Sequence, residues 1–175
     1  MSTVGQAISN WCKAAALVFV SGFALVGPGC AVGPRLVNHS FAFDARADSP
    51  DAQVLDYRYG NTKQTGARAS ERELREGRVS QYTGTTGEMI PGDSLYVKWR
   101  IRSTGEVLEE TVDLKSRLTR DITDHTVYFV IDGRELHVYL VSPELRPKDS
   151  LPFGPKFYRD YYKVYEIYPT FTLRK

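Results

Sequence analysis

The chain predicts an all-β fold: an antiparallel β-sandwich, Ig-like or transthyretin-like, with one long irregular loop and one short helix. Three observations predict it. Two hairpin signatures, around Thr104-Gly105 and Asp132-Gly133, lie between runs that alternate apolar and polar residues. Other short alternating runs are separated by Gly- and Pro-bearing turns, as in sandwiches. No long run carries apolar residues at helical spacing.

Each element follows in turn. Val37 to Phe43 alternates and reads as the first strand, followed by a turn around Asp48-Ser49-Pro50. Val54 to Tyr59 reads as the second. From Gly60 to Gly92 no period is sustained, so this is the irregular loop. Within it Ser70 to Glu76 predicts a short helix, because Ser70 and Glu73 have the spacing of a capping box. The first hairpin runs from Asp93 to Leu114. With Thr104-Gly105 as its loop, Leu95 faces Leu114, Val97 faces Val112, and Ile101 faces Leu108 on one side. Lys98 meets Thr111 and Arg100 meets Glu109 on the other. That register sets Trp99 against Glu110, which calls for a bulge or for a partner to the carboxylate. The second hairpin, Thr126–Ile131 and Arg134–Ser142, reads as a type I′ turn at Asp132-Gly133. It pairs Val127 with Val138 and Phe129 with Leu136, leaving Tyr128 opposite His137. After a Pro-rich connection, Pro143 to Pro155, Tyr161 to Tyr168 reads as the last strand.

The N-terminus carries an address. Lys13 precedes 13 apolar or small residues, Ala14 to Val26, which suit a secretory signal and are too few to span a bilayer. Gly27-Pro28-Gly29-Cys30 follows, and small Gly29 fits cleavage before Cys30 and lipidation of its thiol. The arrangement resembles the lipobox of bacterial lipoproteins, departing from it at Gly27 and Pro28, where that pattern has Leu and then Ala or Ser. With Ala31 rather than Asp after the cysteine, the resemblance implies the periplasmic face of the outer membrane. Residues 1–29 are then a signal, 30–36 a tether and 37–175 a single domain. Cys12 falls inside the signal, so the processed chain keeps Cys30 alone and has no internal disulfide. The 175 residues carry a formal charge of +2, too balanced for a nucleic-acid binder driven by phosphate neutralisation.

Catalytic signatures are sparse. His39, His125 and His137 do not have metal-ligand spacing, so neither a metal nor a cofactor is expected. There is no nucleophile elbow and no phosphate loop. Glu109 and Glu110 are adjacent on a strand and point to opposite faces, so they do not form a catalytic carboxylate pair. An enzyme would need groups such as His137 and Glu110 to converge; the expectation is that the protein is not one. Recognition chemistry is better represented. Tyr57-Arg58-Tyr59 and the run containing Tyr158, Arg159 and Tyr161 combine the residue types enriched at binding hot spots. Trp99 with Glu109 and Glu110 is a second candidate partner surface. Residues 58–78 hold six basic against three acidic residues, while 106–113 hold four acidic and no basic ones, so opposite patches are available for steering.

The runs Val54–Gly60, Tyr96–Glu106 and Val127–Val141 together resemble a family of small proteobacterial lipoproteins associated with type VI secretion effector loci. The resemblance implies an immunity protein, whose partner is a cognate effector of the phospholipase type and whose contact with the membrane is the lipid on Cys30. It assigns no binding residue. The alternative is a structural lipoprotein of a secretion or other envelope complex.

Overall fold

A computed structural model describes residues 35–172; the signal-type segment, Cys30 and residues 31–34 of the tether lie outside them. The described residues form strands β1 (Val37–Asp44), β2 (Ala52–Tyr59), β3 (Tyr82–Met89), β4 (Ser94–Ile101), β5 (Val107–Asp113), β6 (Thr126–Asp132), β7 (Glu135–Leu145) and β8 (Tyr162–Tyr168). Two short helices join them, α1 (Ala45–Asp48) and α2 (Glu71–Glu76). One sheet has the order β3-β1-β6-β7-β8 and the other β2-β4-β5. Only β1 and β6 pair in parallel. This is the all-β, sandwich-like architecture the patterning predicts.

The core lies between the inner faces. Phe41 and Phe43 of β1, Phe129 of β6 and Val138 of β7 meet Tyr57 and Tyr59 of β2 and Leu95, Val97 and Trp99 of β4. Phe41 stacks on Tyr59 with ring centroids 4.8 Å apart, and Phe43 on Phe129 at 4.4 Å. Each such side chain contributes about 1.5–3 kcal/mol by leaving water. Val54, Tyr57 and Tyr59 break strict alternation yet all point inward, because the β2–β4 register shifts between Val54 and Asp56.

Both hairpins close on longer or later turns than the sequence suggests. In the first, Ile101 N–H donates to Glu106 C=O at 2.8 Å, so the loop is 102–105 rather than Thr104-Gly105 alone. The register moves by two, and every side chain keeps its face. Leu95 meets Val112, Val97 meets Glu110 and Trp99 meets Leu108, while Lys98 rather than Arg100 faces Glu109. No bulge interrupts this pair. In the second hairpin Val127 meets Leu140, Phe129 meets Val138, and Tyr128 meets Tyr139 rather than His137. The turn centres on Gly133-Arg134. Gly133 has φ +58 and Arg134 has no positive φ, a II′ pattern rather than I′.

The stretch 60–92 is less irregular than its sequence. It contains the capped helix, where Ser70 and Glu73 exchange bonds of 2.8 and 3.3 Å. It also contains β3, which pairs with β1 along its whole length. Thr83-Gly84-Thr85-Thr86-Gly87 has almost no apolar contrast, so period 2 is invisible there, and the pairing comes from β1.

Candidate interaction surface

Aromatic residues on half-buried strands serve a core or a partner equally well, and here several serve the core. Tyr57, Tyr59 and Trp99 are buried and are corrected from partner contacts to core residues. Tyr59 OH lies 2.9 Å from His39 Nε2, and His39 Nδ1 lies 2.8 Å from Val37 C=O. With Nδ1–H donating to the carbonyl, Nε2 accepts from the tyrosine. Burial lowers the His39 pKa and raises that of Tyr59, so both stay neutral near pH 7. Trp99 Nε1–H donates to Gly133 C=O at 3.0 Å, tying the small sheet to the β6–β7 turn of the large one.

Arg58 is exposed, its guanidinium 5.3 Å from the Tyr96 ring centroid. Glu109 is exposed and accepts from Tyr96 OH at 2.9 Å and from Lys98 Nζ at 3.3 Å. Those donors hold its carboxyl below the ordinary value. Glu110 has its partner in Tyr168, whose hydroxyl donates to it and whose pKa is raised by that carboxylate. Arg58 and Glu109 thus sit on the outer face of the small sheet, while Glu110 faces its rim.

An exposed apolar display runs from the end of β7 through the segment linking it to β8. Leu145 (72 % exposed), Leu151 (87 %), Phe157 (74 %) and Tyr161 (66 %) stand in solvent within 17 residues, with Phe153 beside them. The segment is not loose. Gly154 has φ +93 and lies so close to Val164 that a Cβ would come within 2.6 Å of it, which lets the chain lie flat on the sheet. Lys156 N–H donates to Asp48 Oδ1 at 2.9 Å, and Tyr128 OH donates to the other carboxylate oxygen at 2.8 Å. Tyr158 packs edge-on against Tyr128 and Phe157, with centroids at 5.5 and 5.0 Å. Of the sequence-predicted residues, Tyr158 and Arg159 are half-buried supports and Tyr161 is exposed. Phe157 begins the Tyr-rich run 157–162 that the sequence singles out; Leu145, Leu151 and Phe153 lie outside the sequence candidates. Their signal was available: bulky apolar residues in a Pro-rich stretch with no period to bury them.

His137 does not meet Glu110. It points from the outer face of β7 and bonds Glu166 at 2.7 Å, with Glu135 at 3.6 Å and Tyr139 stacked alongside. Among the described residues no cluster of His, Cys, Asp and Glu has the geometry to hold a metal. No helix of the described residues is long and apolar enough to cross a membrane. Compared with known proteins, the chain matches no family model, no curated protein and no solved structure.

Proposed function

We propose that the protein is a lipoprotein on the periplasmic face of the outer membrane that binds and neutralises a toxic secreted effector of the phospholipase type, as an immunity protein does. The observation that carries this reading is the exposed apolar display of Leu145, Leu151, Phe153, Phe157 and Tyr161, on a segment fastened to the outer face of the large sheet around Gly154–Tyr158. Exposed apolar groups clustered on an ordered scaffold support protein recognition, because little entropy is lost when they are covered. The segment 145–161 also carries four basic residues against two acidic ones, a bias that suits an acidic partner surface. A lipid on Cys30 would keep this surface where an effector attacking membranes acts.

The test is affinity capture with the full chain in a lysate of the source organism, followed by assay of what is captured. The reading expects one lipid-hydrolysing or otherwise toxic enzyme whose activity falls as purified protein is added. A Leu151→Ser/Phe157→Ser double variant should inhibit much less, with the urea midpoint lowered only slightly by loss of the Phe157–Tyr158 contact. Capture of inner-membrane secretion subunits, with no inhibited enzyme, contradicts the reading and favours the structural lipoprotein.

A further inference from the structure

The outer face of the large sheet is covered unevenly. The 146–162 segment lies over β6, β7 and β8. Over β1 and β3 the outward pairs are Asp44–Tyr82, Ala42–Gly84, Ser40–Thr86 and Asn38–Glu88. Ala42 opposite Gly84 leaves a recess of about 390 Å³, walled by Tyr82, Tyr128, Phe157 and Tyr158. A Cβ placed on Gly84 would meet nothing within 4 Å, so the recess is open directly above that residue.

The recess adjoins a strand edge that differs from the other three. Segment 67–69 covers β2, with Tyr59 N–H donating to Ala67 C=O at 2.8 Å and Ala69 N–H to Tyr57 C=O at 3.0 Å. The β5 edge carries Glu109, Glu110 and Asp113, charges that discourage pairing. The β8 edge has carbonyls taken by Arg117, at 2.7 Å from Ile167 O, and by Thr172, at 3.1 Å from Glu166 O. By contrast β3 is eight residues long, contains neither Lys nor Pro, and has Glu88 as its one charge. Among the described residues it pairs with β1 alone. The Tyr82 carbonyl at its start accepts from Ser80 Oγ at 2.7 Å; the outward backbone groups of Gly84, Thr86 and Glu88 form a row of donors and acceptors whose complement is another extended chain.

We propose that β3 and the recess over Gly84 form one strand-docking site, which takes an extended segment of a partner protein bearing one large apolar side chain. A strand added beside β3 lies about 4.8 Å from it. Its ladder of backbone bonds supplies affinity, and a Phe, Leu or Met on its outward face leans over Gly84 and fills the recess, which supplies selectivity. A second copy of this chain is a poorer occupant. Its only bulky outward β3 residue, Tyr82, is held under the Arg46 guanidinium at 3.8 Å, and Arg46 is bonded to Asp44 at 2.8 Å. Tyr82 is thereby fixed as a wall of its own recess. The inference rests on the reading of this protein as a protein-binding module, and not on its tether or its partner's toxicity.

The probe is a displayed library of linear peptides, panned against the full chain in detergent; enriched peptides are then synthesised and their affinities measured. Enriched sequences should alternate β-formers with one bulky apolar residue. Gly84→Leu, which fills the recess from within, should weaken them at least about tenfold while leaving the urea midpoint unchanged. Of the two alternate patterns of backbone N-methylation, one should abolish binding and the other leave it intact, because only one edge of an added strand bonds to β3. Failure to enrich any peptide overturns the proposal, as do peptides indifferent to Gly84→Leu or to both methylation patterns. A concentration-dependent dimer abolished by Gly84→Leu also overturns it, by making a second copy the occupant. None of these failures touches inhibition of a captured enzyme, so the strand site and the neutralising role fail separately.

Discussion

Tyr59 and His39 show how a single polar pair is accommodated in this core. Each is buried, and each satisfies the other at 2.9 Å. Tyr59→Phe leaves His39 Nε2 without its donor, at a cost of about 1–3 kcal/mol read in urea unfolding. The pair also sets a pH dependence. Burial lowers the native pKa of His39 below its ordinary 6.5. Above pH 6.5 the ring is neutral in both folded and unfolded chains, and stability is complete. As pH falls below that, the unfolded chain takes up a proton first, and stability declines through the lowered native value. His39→Gln should therefore flatten the stability profile between neutral and mildly acidic pH; an unchanged slope would contradict this account. The same residue scale explains which candidate contacts were legible. Tyr57, Tyr59 and Trp99 have the composition of a hot spot, but composition does not say which face of a strand is covered.

At the scale of elements, faces were more legible than registers. Alternation in β4, β5, β6 and β7 marks the inward side whatever the turn, so a shift of two residues leaves the core assignments intact. The turns themselves were read one step early, because Asp132-Gly133 fits a I′ loop and Gly133-Arg134 a II′ loop equally well in sequence. The positive φ at Gly133 makes a direct prediction. Gly133→Ala should cost about 1–3 kcal/mol, measured as a fall in urea midpoint, although the position is open to solvent. The strand β3 stayed hidden for a different reason: a Thr- and Gly-rich edge strand has no apolar period, and its existence depends on β1. That same plainness leaves its edge with Glu88 as its one charge. The helix α2, with no buried residue, is held by its caps. Ser70→Ala should cost about 0.5–2 kcal/mol of helix stability, seen as faster amide exchange confined to 71–77.

On the scale of the whole molecule, the two-sheet core carries on one outer face the surface proposed here to meet a partner. The flat seating of 145–161 converts a Pro-rich connection into an ordered display of Leu151, Phe157 and Tyr161. Apolar exposure of this kind costs solubility, so a binding role accounts for it better than packing does. In the proposed function, a signal at the N-terminus and a lipid on Cys30 would place that face in the periplasm. The most direct test is growth of a strain lacking this gene in contact with its own parent. The account predicts that the deletion strain is killed by the parent. It also predicts rescue by the wild-type gene but not by the Leu151→Ser/Phe157→Ser variant. A deletion strain that grows undisturbed beside its parent, while losing its own ability to secrete, would contradict the account and assign the protein to the secretion machinery.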